Sequence, residues 1–180
     1  IATASGKCRS AGKLHLGDAI EKGNVELGIN NIWEVLVDQN DIRAIEDHDS
    51  IIWLATSNGL IKYKPNDTIV AVYQEGGITV PSNDVRALTT DIYNNLWIGT
   101  AGGIVKYDGT TFTTDSTGLT NNDIISLTSD YSGYVWIGLR DSGLVEYDNG
   151  TIINIYNMSN SFLPDNHVKT LFHDANGHIW

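Results

Sequence analysis

The chain has 180 residues, 41% of them hydrophobic, which is enough for one domain with a buried core. Its 22 acidic residues against 11 basic ones give a formal charge of -11, which repels phosphate backbones and excludes a general nucleic-acid binder. No apolar run approaches the ~20 residues of a membrane-spanning helix, and the single cysteine, Cys8, has no internal disulfide partner.

Residues Ile1 to Lys22 read as a leader or as the remnant of an earlier unit, with no charged n-region and long apolar stretch of a signal peptide. The stretch "GNVELGINNIWEVLV", Gly23 to Val37, predicts two strands. Beyond it the chain repeats itself. Trp53, Trp97, Trp136 and Trp180 recur 44, 39 and 44 residues apart, and six positions before each stands an aspartate: Asp47, Asp91, Asp130 and Asp174. Tyr63, Tyr107 and Tyr147 follow the first three tryptophans by ten or eleven residues. Upstream, "DVRALTTD" (Asp84 to Asp91) matches "DIISLTSD" (Asp123 to Asp130), "HVKTLFHD" (His167 to Asp174) and, one residue shorter, "DIRAIED" (Asp41 to Asp47).

Each full unit predicts four short strands. In the second unit they run roughly over Val85 to Thr89, Leu96 to Thr100, Ile104 to Tyr107 and Thr111 to Thr114, and connections this short force antiparallel neighbours. A four-stranded unit of about 40 residues with a tryptophan signature is the pattern of a β-propeller blade, against the alternatives of a solenoid or a sandwich. A blade packs both faces against its neighbours. Its second and third strands therefore need near-continuous apolar runs, and the tryptophan is expected to wedge between sheets.

The expected architecture is all-β: four-stranded antiparallel blades at about 41–82, 83–121 and 122–165, an unfinished blade at 166–180, and outer strands at 23–37. Those outer strands belong either to the blade begun at His167 or to a preceding one. The sequence stops at Trp180 within an expected strand, so the reading is an incomplete arc of a larger propeller of seven-bladed type, with a closed four-bladed ring as the alternative.

The aligned aspartates are expected to cap turns rather than bind metal. In the third and fourth units they open Asp-x-x-Gly turns in which Gly133 or Gly177 takes the left-handed conformation, and Asn94 does so in the second. These loops are too short for a calcium loop, and His15, His48, His167, His173 and His178 form no zinc motif. No metal and no cofactor is expected.

The motif "D-x-x-[G/N]-x-[hydrophobic]-W-I-G", followed by "G-[I/L]-V-x-Y-D", resembles the two-component regulator propeller repeat over about Asp41 to Trp180. The first unit departs from it, with "WLAT" at Trp53 to Thr56 and Lys64-Pro65 for Asp-Gly, and "LRDSG" in the third has one extra residue. The resemblance implies a sensor propeller of hybrid two-component histidine kinases, common in Bacteroidetes. It also implies a periplasmic or extracellular location, a kinase module in the full-length protein, and detection of carbohydrate breakdown products.

Propeller pockets usually open on the face where the inner strands start. That face is expected to carry Asp84, Asp123 and His167, the preceding Asn122 and Asn166, and Arg86 two residues into its strand. Asn58, Arg140 and Asp141 reach it from the turns between second and third strands. Such groups suit a soluble saccharide, which needs many directed hydrogen bonds; the competing reading is that Asp84 and Arg86 satisfy each other. Two functional alternatives remain. One is a lyase-type propeller enzyme, although Glu21, Glu26, Glu34, Glu46, Glu75 and Glu146 are not matched to a histidine at an inner position; the other is a protein-interaction scaffold.

Overall fold

Strands separated within each sheet by two- to five-residue turns give one architecture throughout the part of the chain that the computed structural model describes, namely residues 41–64, 69–76, 80–115 and 118–180. The expectations for Ile1 to Lys22 and for Gly23 to Val37 lie outside the described residues. Twelve strands are present among the described residues. They are β1 (Ile42–His48), β2 (Ile51–Thr56), β3 (Gly59–Tyr63), β4 (Ile69–Tyr73), β5 (Val85–Thr90), β6 (Leu96–Thr100), β7 (Gly103–Tyr107), β8 (Phe112–Thr114), β9 (Ile124–Ser129), β10 (Val135–Leu139), β11 (Gly143–Asp148) and β12 (Thr151–Tyr156). They form three four-stranded antiparallel sheets in chain order, β1-β2-β3-β4, β5-β6-β7-β8 and β9-β10-β11-β12. The inner strands adjoin one another, β1 against β5 and β5 against β9. This is an arc of three blades.

Alternation along the middle strands explains their unbroken hydrophobicity, because both faces of a blade are covered. On β6, Leu96 and Ile98 join Trp53, Leu60, Val85 and Tyr107 in the seam between first and second blades. Trp97 turns the other way, into the seam built by Ile104, Ile124, Leu127, Ile137 and Tyr147. All five residues of β6 are buried. Gly99 leaves room for the neighbouring inner strand: a Cβ there would come within 2.6 Å of the Ile124 Cγ2 methyl.

The spacing of aspartate and tryptophan has a second cause beyond turn capping. Asp91 Oδ1 accepts the backbone N–H groups of Tyr93 and Asn95 at 2.9 and 2.8 Å, and its Oδ2 accepts the indole N–H of Trp97 at 2.8 Å. Asp130 does the same for Ser132, Tyr134 and Trp136, and Asp174 for Asn176, His178 and Trp180. One carboxylate thus closes the turn and fixes the wedge. Asn94, Gly133 and Gly177 take positive φ as expected. Those donors hold the Asp174 carboxyl well below its ordinary value, led by the Trp180 indole.

The first blade corrects the sequence reading. Asp47 caps no turn here: it is an exposed β1 residue paired with Ile52. Glu46 pairs with Trp53 as Thr89 pairs with Trp97, so His48 occupies the place that Asp91 has in the second blade. The β1–β2 turn is two residues, Asp49 and Ser50, both at positive φ, and the Asn94 amide of the second blade donates to Asp49 Oδ1 at 2.9 Å. His48 is 3% exposed, and neither its ring nitrogens nor the Trp53 indole N–H have a hydrogen-bond partner.

The fourth unit is described as a turn. His173 and Ile179 bridge, Phe172 and Trp180 exchange backbone hydrogen bonds, and Val168 accepts a bond from the Ser126 hydroxyl of β9 at 3.0 Å.

Candidate functional site

Strand starts and the turns between second and third strands lie on one face, because each is tied to the other by backbone bonds: Ala101 N to Asp84 O at 3.0 Å, and Arg140 N to Asp123 O at 2.9 Å. We call this the upper face. The second, third and fourth units are entered through a polar residue two positions earlier. Ser82 Oγ, Asn121 Oδ1 and Asp165 Oδ1 accept the N–H groups of Asp84, Asp123 and His167. These three were not among the expected site residues; their signal in the sequence is a Ser, Asn or Asp recurring at that offset.

Four of the expected site residues come together as one chain of alternating charge. Arg43 Nη1 reaches from the first blade to Asp84 Oδ1 of the second. Arg86 binds back to Asp84 Oδ2 at 2.5 Å and forward to Asp123 Oδ1 of the third blade. Arg140 Nε closes on Asp123 Oδ2 at 2.5 Å. The arginine of one blade thus pairs with the aspartate of the next. Burial pushes the Asp84 carboxyl up, but the hydrogen bonds and charge of Arg86, then of Arg43, outweigh it and hold the group below its ordinary 3.8. For Arg86 burial works in the opposite sense, yet Asp84 and Asp123 raise it above its ordinary value.

A depressed carboxylate stabilises the fold fully above its unfolded value and loses that contribution as pH falls through the folded one. The arc is therefore expected to lose stability below about pH 4, and Asp84→Asn should flatten that acid limb. Denaturant titrations at pH 7 and pH 3, at low and high salt, measure it; an equally steep acid limb in the variant would show that the ladder does not titrate.

The pattern changes at the third step. Ile125 stands where the arginine would be and His167 where the aspartate would be, and His167 Nδ1 instead meets Asp141 Oδ1 at 2.9 Å. Asp141 sits at φ 59° in the three-residue turn 140–142, the extra residue of this unit. Asn166 O accepts the Gly143 N–H at 2.7 Å, and Asn166 Oδ1 accepts that of Met158 at 2.8 Å. Asn122 is exposed beside Asp123. Asn58 lies apart on the first blade, where its side-chain oxygen accepts from Gln74 Nε2 at 3.1 Å.

An open cavity of about 430 Å³ adjoins this third step. Thr120, Ser142, Asn157, Ser159 and Asn166 line it with hydroxyl and amide groups, and Ile155 and Met158 supply apolar surface. Of these, only Asn166 was anticipated from the sequence. Among the described residues no set of three His, Cys, Asp or Glu side chains could hold a metal ion, and no helix is long and apolar enough to cross a membrane.

Residues 79–102 match the model of the two component regulator propeller family. No curated protein sequence matches the chain. Among solved structures, the extracellular domain of the hybrid two component system BT3049 from B. thetaiotaomicron superposes with a TM-score of 0.66 at 24% identity, over 78% of this chain and 20% of that one. The extracellular domain of the hybrid two component system BT4673 from the same organism gives 0.66 at 22%, over 78% and 22%. A streptogramin B lyase gives 0.61 at 16%, over 77% and 47%. The chain thus spans about a fifth of the length of the two extracellular domains. With the three blades described above, these matches assign the fold: the described residues form an arc of β-propeller blades, in which residues 79–102 match the two component regulator propeller family.

Proposed function

We propose that the chain is part of a non-enzymatic sensor propeller of a two-component signalling protein, periplasmic or extracellular, that binds a soluble saccharide on its upper face. The carrying observation is the 430 Å³ cavity, whose hydroxyl and amide lining beside an apolar floor suits a sugar ring. Similarity to extracellular domains of hybrid two component systems supports the sensor role and a histidine kinase module as the partner in the full-length protein. In this reading Asn166, Asp141, His167 and Asn122 meet the ligand, while Asp84, Arg86, Asp123 and Arg140 hold the rim and present their outer oxygens and N–H groups to it. Asn58 extends the same face on the first blade.

The test is a binding screen of the chain against an oligosaccharide panel by calorimetry. Asn166→Ala is expected to weaken a hit by about tenfold, the loss of one or two directed hydrogen bonds. Binding unchanged by Asn166→Ala, and by joint replacement of Asp84, Arg86 and Asp123, would remove this face from recognition. Turnover of the bound compound would favour the lyase-type alternative.

A further inference from the structure

The opposite face carries a second cavity, of about 350 Å³, at the seam between second and third blades. We propose that it binds a neutral, monosaccharide-sized ring bearing adjacent hydroxyl groups. This inference does not rest on the upper-face reading, since the two cavities lie at opposite ends of the strands.

Six residues define it: Tyr93 and Asn95 from the β5–β6 turn, Lys106 from β7, and Gly133, Asp148 and Asn149 from the third blade. Tyr93 is 69% exposed, and its ring leans across the seam onto Gly133, where a Cβ would come within 2.8 Å of its Cε2. A side chain at 133 would push that ring away, so the glycine makes room for an aromatic wall. Lys106 crosses the same seam to Asn149 Oδ1 at 2.7 Å and stands over Trp97, 5.7 Å from the ring centroid. Asp91 and Trp97 form the floor, already bonded to each other.

What remains unpaired defines the occupant. Among the described residues the Tyr93 hydroxyl, the Asp148 carboxylate and the Asn149 amide N–H groups have no hydrogen-bond partner, and Lys106 bonds at one point of three. A ligand has to bring donors to Asp148, acceptors to Lys106 and Asn149, and an apolar face to Tyr93. An inorganic anion meets repulsion from Asp148, and a plain apolar ring leaves every polar group stranded. A polyol ring has C–H faces and hydroxyls that both donate and accept, so it satisfies all three demands in the space present. Its source is either a free monosaccharide or the terminal residue of a longer glycan.

The experiment is an NMR titration of the ¹⁵N-labelled chain with methyl β-D-glucopyranoside, methyl β-D-galactopyranoside, the matching β-linked disaccharides, and inorganic phosphate. The glycosides are expected to move the Trp97 indole signal and the amides of Tyr93, Asn95, Asn149 and Gly150 at millimolar concentration. Tyr93→Ala and Asp148→Asn, both at exposed side chains, should weaken the response at least tenfold with the rest of the spectrum unchanged. Equal affinity for mono- and disaccharide identifies a free sugar, and tighter binding of the disaccharide identifies a glycan end. Signals that move with phosphate alone, do not move with any glycoside, or move equally in both variants overturn the inference. Movement confined to Ser142 and Asn166 overturns it too, while leaving the upper-face reading intact.

Discussion

Trp97→Ala is expected to destabilise the arc by about 3–5 kcal/mol, measured by denaturant unfolding, which is the range for removing a large buried aromatic side chain. Trp97 is 1% exposed, meets Tyr147 edge-on at 5.9 Å, and fills the seam between two blades rather than the interior of one. The variant removes that packing and also deprives the nearly buried Asp91 of its indole donor. Phenylalanine separates the two effects. Trp97→Phe keeps a ring in the seam but breaks the bond, whereas Trp53→Phe breaks none, because the Trp53 indole has no acceptor. The first should cost about 1 kcal/mol more than the second. Equal losses would show that the carboxylate contributes only to the turn.

Gly143→Ala is expected to cost about 2–4 kcal/mol through backbone strain and steric conflict together. Gly143 opens β11 at φ +90°, where an L side chain is disfavoured, and a Cβ there would run into the carbonyl oxygen of Tyr156 on β12. That oxygen belongs to the backbone, so relief requires moving the outer strand. The same glycine also donates to Asn166 O, and its displacement would loosen the entry to the fourth unit beside the upper cavity. Thermal unfolding checks the loss. A Tm within a degree or two of the parent chain, where about 1 kcal/mol shifts Tm by a few degrees, would mean that β12 yields freely.

The blades were legible because a propeller poses the same packing problem repeatedly, and the sequence answers it with the same spacing of Asp, Trp, Gly and Tyr. The error at Asp47 has a specific origin. The paired residues Glu46 and Trp53 are seven positions apart where Thr89 and Trp97 are eight, so six positions back from the tryptophan falls on Asp47 in one blade and Asp91 in the other, although the two hold different places in the register. At the upper face the charged residues were visible in the sequence, but whether Arg86 would point at a ligand or at Asp123 depends on how far apart two blades stand. Thr120, Ser142, Asn157 and Ser159 escaped notice for a different reason: isolated hydroxyl and amide residues in turns are ordinary until the fold gathers them around one cavity.

The arginine that reaches forward to the next blade's aspartate gives the arc an addressing code. Blades built from near-copies of one sequence risk docking in the wrong order, since their apolar faces differ little. At the first two seams an Arg key meets an Asp lock; at the third, Ile125 stands in the arginine's place and His167 in the aspartate's, so both halves are absent together. A blade docked out of place would press an unmatched guanidinium or carboxylate into a partly dried rim, and discrimination by such mismatches is a general means of specificity. The mouth of the arc thereby separates the third seam from the first two, which share one key, while the apolar seams below carry the adhesion.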